Sequence, residues 1–513
     1  MSTITKSSGG GSLTGRAIWL MFAKTMAFGF SLVLPLLLVR RLNIAQFGLY
    51  KQAFQAIATA IVILPLSFGM SAYYFLPREV DPVRRGQVVL NTLLFNIGIG
   101  GLVFATLLIR PQLLSKLFNN VELTHFAPLV GAVVMLWIFS AFLEIVSVAN
   151  EEQRLTPVFV ISAQFTKTAL LVAAATALAS VGALLWAALI QGLIQSVVLM
   201  LYLRSRFPGF WRHFNFSLWR AQFAYALPFG LLGILWTTQT DLHTYFVSQR
   251  FGAEMFAVYA IACFDIPLIG ILAESVNSVM IPRVSLLQSQ GKSDEIIGMA
   301  ASVMRKLSSI YFPLYAFLML LASEFIHLLF TAKFAASVPL FRVNLTLLPL
   351  AIVALDAIVR AHKELGRFLL VARVILLSVM VGALWFGVRH FDLYGMIWIV
   401  IGFATVERVI VTVRSGAVLG VGVKDLPLLV DVGKIALATL AAAAPTYVMR
   451  MMLLHQHPLV VLAGCATAFG LTYLCALLVL RVPSATEREL FWRKFGSLLG
   501  RPASPKETLD QVV

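Results

Sequence analysis

Six ionisable side chains stand inside otherwise apolar stretches of this sequence, and they are the residues with chemistry to offer. A charge at a bilayer centre costs on the order of 2.5–3.5 kcal/mol on insertion scales, so such residues face a cavity or a partner. Lys167, in AQFTKTA, lies about 16 Å along a helix from the start of its apolar run, with no easy escape to water. It can be a cation in a central cavity meeting an anionic head group, or half of a pair with a carboxylate on a neighbouring helix. Lys24 is shallower, and its long stem can carry the ammonium to the nearer face. Asp265, in ACFDIPL, precedes Pro267, where a kink frees a backbone carbonyl. Its carboxylate can take a proton or cation, or neutralise Lys167. Asp241 and His243, in TTQTDLHTY, share the most polar stretch of any run with Thr237, Thr238 and Gln239. They line the outward half of a pathway, or they end a helix in interfacial water. Arg342, followed by Asn344, opens a later run and leaves the same two options. Lys24, Lys167 and Arg342 are therefore the candidate substrate-binding cations, and Asp265, Asp241 and His243 the candidate cavity or ion-coupling groups.

The remaining charges near apolar runs lie closer to their ends. Glu274 is half a turn out of phase with Asp265 on a straight helix and reads as a cytoplasmic-side partner. Glu144, Asp356, Glu407 and Arg408 sit near the cytoplasmic face, where snorkelling or a local ion pair accounts for them. Glu324 and His327 close a run at the outer interface and are expected to be solvated.

These residues need helices to hold them. The chain is 60% hydrophobic and 12% charged, with a mean hydropathy of +0.89, against about 25% charged in an average soluble domain. Continuously apolar runs of around twenty residues recur, each long enough to cross hydrocarbon as a helix; a barrel would alternate in segments of about ten. Spans are expected near 17–39, 48–68, 88–109, 126–148, 156–179, 181–203, 222–247, 254–279, 306–328, 338–359, 368–388, 394–413, 433–453 and 458–480. The expectation is an all-α polytopic membrane protein of about fourteen transmembrane helices, with twelve open if the last pair is peripheral and a tight turn near 179–181 helped by Gly182.

An internal repeat organises them. Arg40 to Tyr50, RRLNIAQFGLY, returns as Gln249 to Tyr259, QRFGAEMFAVY, with Arg, Phe and Tyr at matching places: Arg41, Phe47 and Tyr50 against Arg250, Phe256 and Tyr259. Each copy leads through a further apolar run to a Pro-Arg pair, Pro77-Arg78 and Pro282-Arg283. Paired halves in an apolar chain point to a transporter. Lys and Arg favour one set of loops by about three to one, which places both termini in the cytoplasm. The repeat agrees, since the first and seventh spans then run the same way.

Other functions find little support. The net charge of +17 is scattered over short loops rather than clustered with aromatics, so no nucleic-acid partner is implied. Cys263, Cys465 and Cys475 lie in apolar stretches without metal spacing and read as core filler, with no metal and no cofactor. Gly10 to Ala17, GGSLTGRA, lacks the Lys and hydroxyl of a phosphate loop. The polar, Gly/Ser-rich start does not look like a signal peptide. A membrane polymerase or ligase would need a catalytic loop, and no interhelical loop is long enough. The protein is not expected to be an enzyme.

The first span followed by RRLNIAQFGLY and SFGMSAYYFLPRE resembles the start of bacterial polysaccharide and O-antigen flippases of the Wzx type, in the multidrug/oligosaccharidyl-lipid/polysaccharide exporter superfamily. QRFGAEMFAVYAIACF and LLFTAKFAASVPLFRV are also similar to that pattern, and the likeness runs over residues 12–415. Asn43 and Ile44 depart from it, standing where Gly-Pro is common. The resemblance implies two six-helix bundles around a central cavity: 17–203 and 222–413, joined by a cytoplasmic linker 204–221, flanked by tails 1–16 and 481–513, with two extra helices in 414–480. It further implies an inner-membrane flippase for undecaprenyl-pyrophosphate-linked oligosaccharide in surface or exopolysaccharide biosynthesis. Membrane lipids, polysaccharide polymerase and export proteins would be its partners. A cation-coupled multidrug exporter of the same superfamily is the alternative, and a polysaccharide polymerase or ligase a more remote one.

Overall fold

The computed structural model describes residues 25–482 apart from Ala27, Phe28, Ser31, Gln153, His213, Asp265 and Ala354. Lys24, Asp265, the expected N-terminal tail and the C-terminal tail from residue 483 lie outside the described residues. Every regular element among the described residues is helical. A helical segment at 32–41 precedes α1 (Ile44–Ile63), α2 (Pro82–Ile109), α3 (Leu123–Ser140), α4 (Leu155–Ala177), α5 (Val181–Arg206) and α6 (Phe216–Ala262). There follow α7 (Pro267–Ser289), α8 (Ser293–Leu320), α9 (Ala322–Phe330), α10 (Ser337–Leu345), α11 (Lys363–His390), α12 (Leu393–Leu419), α13 (Val430–Met452) and α14 (Pro458–Val479).

Among the described residues ten helices are long and apolar enough to cross a membrane, or eleven if a pair bent by 82° at Leu321 counts as one span. The sequence expectation of about fourteen is higher because apolarity measures how much chain hydrocarbon can hold, not whether that chain is straight. The expected span 254–279 is split: α6 ends at Ala262 and α7 begins at Pro267. The expected span 338–359 becomes α10, a short 3-10 turn at Pro349–Ile352 and a helix Leu355–Ala361, since the proline cannot supply the amide that would continue the first helix. About half of the first expected span, including its start at 17–24, lies outside the described residues.

Helix starts follow local chemistry. Asn43 caps α1: its side chain accepts from the Gln46 amide at 2.8 Å, and the Gln46 side chain accepts from the Asn43 amide at 3.4 Å, a reciprocal capping box. Asp81 caps α2 ahead of Pro82, and Asn215 caps α6 through the Leu218 amide at 3.0 Å. The tight turn before α5 is made by Ala179, at φ 45°, and capped by Ser180. Gly182, expected to make that turn, stands inside the helix.

The two repeat copies break at matching positions. Helix 32–41 stops just before Asn43, two residues after Arg41. Helix α6 is interrupted at Gly252, two residues after Arg250, with φ 77° and ψ 179°. Phe47, Tyr50, Phe256 and Tyr259 are all buried. The second limbs differ: α1 gives way after Ile63 to positive-φ residues Leu66 and Ser67, whereas α7 continues through Pro282 to Ser289.

By contact density the chain forms two compact units. One holds the described residues up to Ile271 with Leu329–Asn344 and Leu370–Glu407; the other holds Leu272–Leu328, Leu345–Leu369 and the described residues from Arg408 on. A core of the first unit gathers Leu76, Val88, Val89, Phe142, Val146 and Leu203. In the second, Met280, Val284, Ile358 and Val411 pack together, and α13 meets α14 through Ala438, Ala442, Phe469 and Tyr473. Cys465 fits the core-filler expectation; Cys475 is exposed on α14 and does not.

Candidate functional site

Helix α6 carries more polar groups than any other single helix of the first unit, and its periodicity sorts them onto different neighbours. Asp241 and Tyr245, four residues apart, meet α1. Gln55 Nε2 donates to Asp241 Oδ2 at 3.1 Å and to Thr59 Oγ1 at 3.3 Å, and the Tyr245 hydroxyl donates to Thr59 Oγ1 at 2.7 Å. Phe118 packs on the Tyr245 ring. His243 points elsewhere. It is buried and shares a 2.9 Å hydrogen bond between its Nδ1 and the Tyr259 hydroxyl, tying the two limbs of α6 across the Gly252 break.

Trp236 and Gln239 meet α11 and α12. Glu407 accepts from Arg373 Nε at 2.8 Å and from Gln239 Nε2, and the Arg373 guanidinium lies 5.0 Å from the Trp236 ring centre. The Gln239 Oε1 atom is buried without a hydrogen-bond partner. Arg373 was not among the sequence candidates. Depth could have found it, since it lies ten residues into α11, about 15 Å at helical rise; the expected span start at residue 368 made it look shallow.

Lys167 projects from α4 with its ammonium 4.0 Å from the Trp137 ring centre, a cation–π contact. Trp137 is fixed in turn: its indole donates to the Ala188 carbonyl at 3.1 Å and its ring meets Phe54 of α1. Among the described residues no carboxylate pairs with Lys167. Among the described residues no hydrogen bond or ion pair joins it to Asp241, His243 or Arg342. Arg342 is half-buried on α10, with its Nε buried and unpartnered.

The two ends of α6 are held by buried amides and hydroxyls. Near its start Gln222 accepts from Asn91 Nδ2 at 2.9 Å and donates to Ser71 Oγ at 3.1 Å. Near its far end Gln52 Nε2 donates to Ser248 Oγ at 2.7 Å, Asn120 Nδ2 donates to Gln52 Oε1 at 2.7 Å, and Asn119 Nδ2 donates to the Gln249 carbonyl at 3.1 Å. Here the repeat copies touch: Gly48 lies so close to the Ala253 backbone that a Cβ could not be added.

In the second unit Glu324, expected to be solvated, pairs with Arg450 at 2.8 Å, with side-chain exposures of 13% and 21%. The apolar run placed it at a helix end, but α13 supplies a counter-charge that draws it inward. Asn277 Nδ2 donates to Asp356 at 3.3 Å, while Glu274 is exposed. Among the described residues no group of three or more His, Cys, Asp or Glu could hold a metal ion. Among its described residues the first unit offers a set of hydrogen-bonding groups on α1 and α6, a cation on Trp137 and an internal ion pair.

A family profile described as polysaccharide biosynthesis protein matches residues 86–339. No curated protein sequence matches the chain. Among solved structures the chain is similar to the lipid II flippase MurJ in an inward closed conformation, with a TM-score of 0.70 at 14% identity, covering 93% of this chain and 99% of that one. It is also similar to an inward-facing multidrug resistance MATE family transporter of the MOP superfamily, with a TM-score of 0.56 at 15% identity, covering 79% and 99%. A MOP superfamily transporter from Pyrococcus furiosus gives a TM-score of 0.54 at 13% identity, covering 79% and 94%. At these identities the likeness is one of fold: a multi-pass membrane protein built like a flippase and like drug transporters.

Proposed function

We propose that the chain, which matches a polysaccharide biosynthesis profile over residues 86–339 and shares its fold with a lipid II flippase, is a member of the multidrug/oligosaccharidyl-lipid/polysaccharide exporter superfamily and an inner-membrane flippase for undecaprenyl-pyrophosphate-linked oligosaccharide. Alternating access turns the lipid from the cytoplasmic to the periplasmic leaflet, with both termini in the cytoplasm. In this reading 17–203 and 222–413 form the two six-helix bundles, and the hairpin α13–α14 is the extra pair. Polysaccharide polymerase and export proteins act on the product.

The observation that carries the reading is Lys167: a deep cation resting on Trp137 with no carboxylate partner among the described residues, inside the stretch matched by the polysaccharide profile. A pyrophosphate supplies the missing anion, and charge-assisted contacts of this kind are the strong ones in a low-dielectric site. Lys24 and Arg342 are the further cations, and the Gln55, Thr59, Asp241 and Tyr245 group suits sugar hydroxyls. Asp241 and Asp265 are the groups whose protonation or cation binding biases the two states, which requires differential affinity for them; His243, hydrogen-bonded to Tyr259, couples to the break at Gly252.

A cation-coupled multidrug exporter is favoured by one observation, the Asp241 carboxylate one turn from Tyr245, whose ring packs on Phe118. Purified protein in vesicles separates the two. The flippase moves a pyrophosphate-linked oligosaccharide lipid between leaflets and loses that movement in Lys167→Ala. A protein that leaves the lipid in place but expels a cationic dye under an ion gradient is the exporter instead.

A further inference from the structure

The membrane-facing surface of the first unit carries a groove of about 330 Å³ lined by Leu90, Leu94 and Ile97 of α2, Met200 of α5, and the turn residues Phe210 and Trp211, with Arg204 at its end. Leu90 to Ile97 give it a length of about 10 Å along α2. Its wall is apolar and open: Leu94, Ile97 and Trp211 are each close to half exposed. Its end is basic. Arg204 lies over Trp211 with its guanidinium 5.7 Å from the ring centre, and Arg212 is exposed on the same turn.

The balance of charge around this end is uneven. Arg84 pairs with Glu79, and Arg206 with Glu152 at 2.7 Å. Arg204 and Arg212, the two beside Trp211, have no acidic partner among the described residues. A tryptophan with an apolar body and a polar edge marks the level of lipid head groups, and two uncompensated guanidiniums there call for an anion.

We propose that this groove is a specific site for one anionic phospholipid, with an acyl chain along Leu90, Leu94 and Ile97 and the phosphate held by Arg204 and Arg212 beside Trp211. The occupant is a structural lipid rather than the transported one: the lining includes none of the residues proposed for the cargo, and about 10 Å of groove seats the head-group end of one acyl chain. The site requires nothing of the cargo cavity.

The test uses the full chain in phosphatidylcholine vesicles doped with brominated phosphatidylglycerol, which quenches tryptophan on contact. The Trp211 signal is the difference between wild type and Trp211→Phe, and the other tryptophans report that each variant is folded. Phosphatidylglycerol should quench this signal at a lower mole fraction than brominated phosphatidylcholine does. Each arginine near an anionic surface contributes about fivefold in affinity, so the Arg204→Gln/Arg212→Gln double variant should lose about thirtyfold. Arg84→Gln, which removes a charge already paired, should leave the preference intact. Equal quenching by the two lipids would mean an annular contact only, and an equal loss in Arg84→Gln would mean general surface charge. Displacement of phosphatidylglycerol by equimolar undecaprenyl phosphate would give the groove to the cargo. Each of these three results overturns the proposal.

Discussion

Arg373 and Glu407 are worth more to each other than to the bilayer. The pair is partly buried, with side-chain exposures of 25% and 13%, and gains little over apolar residues of the same size; breaking a fully buried pair strands a charge at about 3–5 kcal/mol, and here the cost is a fraction of that. Arg373→Ala should therefore lower the thermal midpoint of purified protein, while the double change Arg373→Met/Glu407→Leu recovers most of the loss. A double-mutant cycle in detergent measures both. Lys167 should behave in the opposite way. With no carboxylate partner among the described residues, Lys167→Ala strands nothing, so stability changes little while lipid movement falls by about ten- to a hundredfold, the worth of a charged contact; Lys167→Arg keeps part of the rate. The sequence exposed Lys167 because it sits deep in a run whatever its neighbours do. It hid Arg373 because depth is counted from a helix start, and α11 begins at Lys363 rather than at the first apolar residue.

At the scale of elements, local signals were legible and breaks inside a continuous apolar run were not. The cap at Asn43 follows from residue chemistry, and the repeat of Arg, Phe and Tyr foretold two equivalent turns. What periodicity does not encode is where a long apolar helix gives way, because hydrocarbon accepts straight and broken segments alike. Gly252 shows this. Its φ of 77° with ψ near 180° belongs to a region open almost only to glycine, and nothing nearby obstructs a Cβ. Gly252→Ala should thus cost about 1–3 kcal/mol through backbone strain alone. Thermal unfolding checks it, with Gly270→Ala, also free of obstruction but inside α7, as the comparison expected to be near neutral.

For the whole molecule, the proposed sidedness rests on the distribution of Lys and Arg. Val121, between α2 and α3, should face the periplasm, and Gln290, after α7, the cytoplasm; both are exposed. Val121→Cys should react with a membrane-impermeant maleimide on intact spheroplasts, and Gln290→Cys only after permeabilisation. The reverse pattern would invert the topology and the direction of transport with it.

The contact of α1 with α6 near Gly48 and Ala253 also bears on motion. Its two sides meet through bare backbone and through the amides and hydroxyl of Asn120, Gln52 and Ser248. Interlocked leucines would forfeit buried apolar area on parting, whereas these groups can exchange one another for water at about 0.5–1.5 kcal/mol per bond. The join therefore works like a hook-and-loop fastening: tight when closed, cheap to peel, and able to re-form in the same register because the missing Cβ of Gly48 admits only one alignment.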